Sequence, residues 1–218
     1  MAEINFWSKV EDRLADLGIL EKGREKWGKK LNENELAKAE AWIAEKMAEH
    51  VTEGSFTPLF QPMKYDHFGY HYGQLATYGV KPFQYTILHP GTDMNRGFGA
   101  QDLNDPLFAI ADGVVTYKGW ATGFGWHLFI IHDINHPQYG KIRVWAHYMH
   151  LRVQPIIAVG EKVKGGQIVA RVGNTGTTSP HCHFELRKKP LGVLFWSELK
   201  GKDRKWLDER FWNPESFF

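Results

Sequence analysis

From Pro106 to Arg187 the sequence falls into short apolar and β-branched runs separated by glycine turns, with no long helical stripe between them. The runs predict strands over Leu107–Trp120, Trp126–His132, Lys141–Leu151, Gln167–Val172 and Cys182–Arg187. This part of the chain is therefore expected to be all-β or nearly so. The last run is the most informative. Residues i and i+2 of a strand point to one face, so His181 and His183 of Pro180-His181-Cys182-His183-Phe184-Glu185 project side by side. Two imidazoles on one face, approached by Gly173-Asn174-Thr175-Gly176, can build a metal site or an acid/base pair. Cys182 points the other way and reads as a small buried apolar residue.

The flanks read differently. Trp7, Val10, Leu14 and Leu17 recur at helical spacing, and a second stripe (Leu36, Ala39, Ile43, Met47) follows a capping-box-like Asn32 and Glu35. Residues 1–50 are expected to form an N-terminal helical segment, either packed on the main domain of residues 51–218 or serving as a separate attachment module. Glycines and prolines interrupt the aromatic stretch 51–88, which reads as loops and short strands. Lys200 to Arg210 reads as a solvated short helix or loop, with the aromatic end after it docking back on the domain.

Composition narrows the function classes. A net charge of +2 over 218 residues is too mild to argue for nucleic acid. The single cysteine excludes an intramolecular disulfide and a cysteine-rich zinc site. No run approaches the roughly 20 apolar residues of a membrane helix. Glu3, Lys9, Glu11, Asp12, Arg13 and Asp16 leave no apolar centre for a secretory signal. The expectation is a chain made in the cytoplasm that acts after release, or a secreted one whose signal this sequence lacks.

Two further stretches carry chemistry. In His89-Pro90-Gly91-Thr92-Asp93 a tight turn can bring an imidazole and a carboxylate towards one point. In Ala146-His147-Tyr148-Met149-His150-Leu151, strict alternation puts Tyr148 and His150 on one face and His147 on the other. A catalytic zinc site needs three protein ligands and an open fourth position, and the chain offers His, Asp and His for it. There is no His-Glu-x-x-His helix and no Gly-x-Ser-x-Gly turn, so a thermolysin-type site and a serine triad are both unsupported.

His89-Pro90-Gly91-Thr92-Asp93, Tyr148-Met149-His150-Leu151 and Pro180-His181-Cys182-His183-Phe184-Glu185 fall in the order and approximate spacing of the lysostaphin-like (LytM-type) zinc endopeptidases, and the chain resembles that family over about residues 68–187. Ala109 to Val115, Val159 to Ile168 and Trp212-Asn213-Pro214 resemble its further segments. The resemblance implies a mainly β fold: a compact antiparallel sheet or sandwich of the lysostaphin type, a barrel-sandwich hybrid. It implies one Zn²⁺ per chain held by His89, Asp93 and His183, with His150 and His181 as catalytic histidines. The substrate it implies is the peptide portion of bacterial peptidoglycan, with cell-wall lysis by a phage or bacterial enzyme as the setting. Tyr85 is a candidate for contact with the oxyanion. The alternative is a wall-binding or activator module, or a phage structural part, that keeps the fold without the activity; the complete set of five residues speaks against it. The segment Leu186 to Trp212 is longer than the family's closing loop, which predicts an altered groove wall. Of the other histidines, His50, His67, His71 and His136 read as loop or surface residues, and His127, His132 and His147 as buried in strands.

Overall fold

The computed structural model describes residues 59–79, 81–189 and 196–218; the helical segment expected at 1–50 and His50 lie outside them. In chain order the strands are β1 (His67–Phe68), β2 (Leu75–Tyr78), β3 (Tyr85–Leu88), β4 (Thr92–Asn95), β5 (Pro106–Phe108) and β6 (Gly113–Ala121). They continue with β7 (Gly125–His136), β8 (Gly140–Leu151), β9 (Lys162–Val163), β10 (Ile168–Arg171), β11 (Cys182–Arg187) and β12 (Phe211–Trp212). The main sheet runs β1-β4-β11-β8-β7-β6-β9, with β12 pairing on β11 beyond the end of β4. Two ribbons, β2–β3 and β5–β10, accompany it, and every pairing is antiparallel. The chain is thus mainly β, as the alternating runs require.

Alternation on β11 divides the molecule. Cys182, Phe184 and Leu186 enter the main core with Met94, Leu128, Ile130, Ala146 and Tyr148, covered by Leu107 and Val169 from the β5–β10 ribbon. Each such buried large apolar side chain contributes about 1.5–3 kcal/mol. Tyr148 is fully buried and donates its hydroxyl to the Phe108 carbonyl at 2.8 Å. The opposite face of the sheet carries the polar residues of the site, and Ile87, Phe124, Met149, Trp196 and Leu199 form a second core on that side.

Three expectations need correction. The run Leu107–Trp120 is two strands, because the Asp112 carboxylate accepts from Gly165 N and Lys164 Nζ, at 2.9 and 2.7 Å, and turns the chain there. The run Trp126–His132 continues to His136, since Ile134 keeps the alternation and packs in the core. His136 is consequently a buried strand residue, stacked on Tyr139 at 4.6 Å and packed on Phe217 at 4.5 Å. The charged segment after Lys200 does form a short helix, α1 (Arg204–Asp208), with Asp203 capping it by accepting from Trp206 N at 2.8 Å. The aromatic end docks as expected, and Glu215 secures it by accepting from Tyr72 N at 3.1 Å and from Thr92 Oγ1 at 3.0 Å.

Candidate metal centre

Adjacent strands bring the first two site residues together: Asp93 on β4 stands directly opposite His183 on β11. The third, His89, sits in the turn between β3 and β4. Its amide donates to the Gln74 carbonyl, and its own carbonyl accepts from Gly73 N, both at 2.8 Å. Gly91 lets that turn lie flat on β11. A Cβ there would overlap the Phe184 carbonyl and stand 2.9 Å from both His183 Nε2 and Glu185 Cγ. Gly91→Ala is therefore expected to destabilise the protein by about 1–3 kcal/mol, read as a lowered urea midpoint; an unchanged midpoint would show that the turn has slack.

His89 Nε2, Asp93 Oδ1 and His183 Nδ1 converge on one point. The His89–His183 distance is 2.9 Å, the His183–Asp93 distance 2.8 Å and the His89–Asp93 distance 3.2 Å. These three residues are the one group among the described residues whose donor atoms could hold a metal ion. Ligands about 2.0–2.1 Å from a tetrahedral zinc stand roughly 3.3 Å apart, so a few tenths of an ångström of outward movement would admit the ion. Two imidazole nitrogens and one carboxylate oxygen are a donor set that suits zinc. The His, Asp and His selected from the sequence do meet.

His150 and His181 flank this cluster. Their rings are 4.7 Å apart, and His181 Nε2 lies 3.7 Å from Asp93 Oδ1. Backbone carbonyls set both tautomers. His150 Nδ1 donates to Thr175 O at 2.9 Å and His181 Nδ1 donates to Ser179 O at 3.0 Å, which leaves each Nε2 as a proton acceptor. His150 reaches this face by a route that strict alternation misses. Between the pairs Leu128↔Tyr148 and Trp126↔Leu151, β8 holds one residue more than β7, a β-bulge. His150 takes φ +56° there, in the left-handed region. The extra residue turns it away from Tyr148 and onto the site face, to which His147 also belongs: His147 and Tyr148 lie on opposite faces as expected, and the bulge moves His150 alone across.

Trp196, from the segment longer than the family pattern, packs on His183 at 5.1 Å and on His150 at 6.2 Å, and so supplies one wall. Tyr85 lies on β3 opposite Tyr78, with ring centroids 6.0 Å apart. Sequence reasoning did not single out Tyr78. Its buried hydroxyl has no hydrogen-bond partner among the described residues, and burial first and the Asp93 charge second raise it, whereas burial alone accounts for the raised Tyr85 hydroxyl.

The electrostatics sort the histidines into kinds. Burial pulls His183 down, but its hydrogen bonds to Asp93 and Glu185 outweigh that and raise it to about 9. Burial would raise Asp93, yet its bonds to His183 and His89 hold it well below the usual carboxylate range. Burial, then the neighbouring His181 and His183, push His150 down to about 3, so it is a neutral base at pH 7. Burial likewise lowers His132 to about 4, and burial with the Arg187 charge lowers His147 to about 3. Below pH 6.5 the unfolded chain takes up protons at these three positions that the folded chain refuses. Stability of the metal-free protein should accordingly fall from pH 7 to pH 5, by about 1.4 kcal/mol per histidine per pH unit. His183 works the other way: its contribution is fully present below pH 6.5 and is lost as pH rises from there through about 9. Equal urea midpoints at pH 7 and pH 5 would refute the assignment.

Comparison with known proteins finds the same segment. Residues 88–193 match the family model for peptidase family M23. Lipoprotein NlpD of Yersinia enterocolitica is 40% identical over 94 residues, which are 43% of this chain and 89% of that protein. Glycyl-glycine endopeptidase ALE-1 of Staphylococcus capitis is 34% identical over 113 residues, 50% of this chain but only 28% of that protein. Among solved structures, the antimicrobial peptidase lysostaphin of Staphylococcus simulans superimposes with a TM-score of 0.47 at 26% identity, covering 75% of this chain and 55% of that one.

Proposed function

The chain belongs to peptidase family M23, and from that premise we propose that it is a zinc-dependent endopeptidase acting on the peptide portion of bacterial peptidoglycan. The observation that supports this most is the convergence of His89 Nε2, Asp93 Oδ1 and His183 Nδ1, with edges of 2.8–3.2 Å, from positions up to 94 residues apart. These three would hold the ion. When bound, zinc supplies Lewis-acid polarisation of a scissile carbonyl and a more acidic water. His150, neutral and with Nε2 free to accept, takes a proton from the attacking water. The proton then returns to the leaving amine through His181, the more exposed of the pair and beside Asp93, which takes it up at Nε2 and, so protonated, steadies the developing oxyanion before handing it on. Trp196 and the buried aromatic group around it keep bulk water from one side of the site.

The name of ALE-1 specifies a glycyl-glycine bond, and glycine bridges as well as D-alanyl cross-links are substrates to assay here. A second reading, a wall-bound module without activity, is favoured by the relative named only as a lipoprotein, NlpD. The complete set His89, Asp93, His150, His181 and His183 favours the enzyme. Turnover on purified cell walls separates the two. The untreated chain should release peptide fragments, while a chelator, Asp93→Ala and His181→Ala should each stop it. Equal clearing in all four samples would remove the zinc reading.

A further inference from the structure

Behind His183 lies a set of buried charges that this mechanism leaves unused. Glu185 and Arg187 follow His183 at every second position of β11 and so share its face. His147 stands opposite Glu185 on β8. Glu185 and His147 are 0% exposed and Arg187 is 2% exposed. Burying a carboxylate and a guanidinium is expensive, and an apolar pair of the same volume often does as well for stability. Their presence beside the metal cluster asks for a role beyond packing.

The geometry supplies one. Glu185 Oε1 is 3.2 Å from His183 Nε2. Its other oxygen, Oε2, accepts from Arg187 Nε at 2.7 Å and from Nη2 at 2.6 Å. Arg187 Nη2 also reaches His147 Nδ1 at 3.1 Å, and the His147 ring is stacked on Phe129 at 3.7 Å with its Nε2 2.8 Å from His127 Nδ1. The carboxylate is therefore clamped, and its free oxygen faces the remote nitrogen of a metal ligand. A carboxylate oxygen only accepts, so His183 must carry its proton on Nε2. Without a metal, Nδ1 donates to Asp93 Oδ1 as well; when an ion takes the place of that proton, the proton kept on Nε2 leaves the Nδ1 lone pair for the ion.

We propose that Glu185 is a positioning residue that fixes the tautomer of His183 and thereby sets the zinc affinity of the site. The inference rests on the metal reading above. Partners of this kind typically change metal affinity 10- to 100-fold.

Glu185→Gln tests it because the amide cannot satisfy both neighbours. Two guanidinium N–H groups require the amide oxygen at the Oε2 position, which turns the NH₂ towards His183 Nε2. Nε2 must then accept, the proton moves to Nδ1, and the lone pair for the metal is lost. The expected result is zinc binding weakened about 10- to 100-fold, measured by competition with a chromogenic chelator on protein shown to be folded by circular dichroism. Arg187→Met removes the clamp but leaves a carboxylate facing His183 Nε2, so it should weaken zinc binding less than Glu185→Gln does. In the double variant Glu185→Gln, Arg187→Met, the amide is free to turn its oxygen to His183 and its NH₂ to His147 Nδ1. Zinc affinity should return to within about threefold of wild type, and a ¹H–¹⁵N spectrum of the zinc-loaded protein should show His183 protonated on Nε2.

A merely structural network would make the two single variants equally weak. Undiminished affinity in Glu185→Gln, or a folded double variant that is not rescued, would overturn the proposal. Should Glu185→Gln fail to fold, Arg187→Met and the double variant decide it by the same criteria. A wild-type chain that takes up no zinc would instead sink the metal reading itself.

Discussion

Asp93→Ala will emerge from purification without zinc and without measurable wall-cleaving activity. The carboxylate is the one anion among the three donors, and its Oδ1 lies 2.8 Å from His183 Nδ1 and 3.2 Å from His89 Nε2. Structural zinc sites bind with about 10–16 kcal/mol. Loss of one donor in three removes roughly a third of that, on the order of 3–5 kcal/mol, or about 10²–10⁴ in dissociation constant. The fold should survive, because Asp93 sits on a strand whose pairing with β11 is made by the backbone. Metal content by emission spectroscopy, together with the circular dichroism spectrum, checks both halves. A folded variant that retains one zinc per chain would show that Asp93 is not a ligand.

This outcome was legible in the sequence to the extent that local rules govern the region. The bounds of β11, Cys182–Arg187, coincide with the alternating run that predicted them, because one face of that strand is apolar throughout and packs in the core. The ligand set was legible only through the resemblance: nothing local to positions 89, 93 and 183 requires them to meet, and antiparallel pairing of β4 with β11 is what joins them. Two features escaped. The break at Asp112 depends on Lys164 and Gly165, some fifty residues on, which no window around Asp112 contains. The network of Glu185, Arg187 and His147 was half visible. Polar residues at 181, 183, 185 and 187 share one strand face, and that periodicity is the signal which could have marked Glu185 and Arg187 as facing the site. His147 could not be added without knowing the register of β8 on β11.

The bulge at His150 bears on the second large effect. His150→Ala should retain zinc and lose about 10²–10⁴-fold in turnover, the contribution expected of a positioned general base. Its Nδ1 is engaged with Thr175 O, its Nε2 is the acceptor, and it stands outside the cluster of three donors. The left-handed backbone at this residue, φ +56°, offers a competing explanation for any loss. Alanine is disfavoured in that conformation, so a slower variant could reflect a relaxed bulge rather than a missing base. His150→Asn separates the two, since asparagine tolerates the left-handed region but has no basic nitrogen. If His150 moves the proton, the Asn and Ala variants will be equally slow and equally zinc-loaded. If the bulge alone matters, Asn will recover most of the rate. Loss of zinc in both would place His150 among the ligands, contrary to the geometry of the cluster.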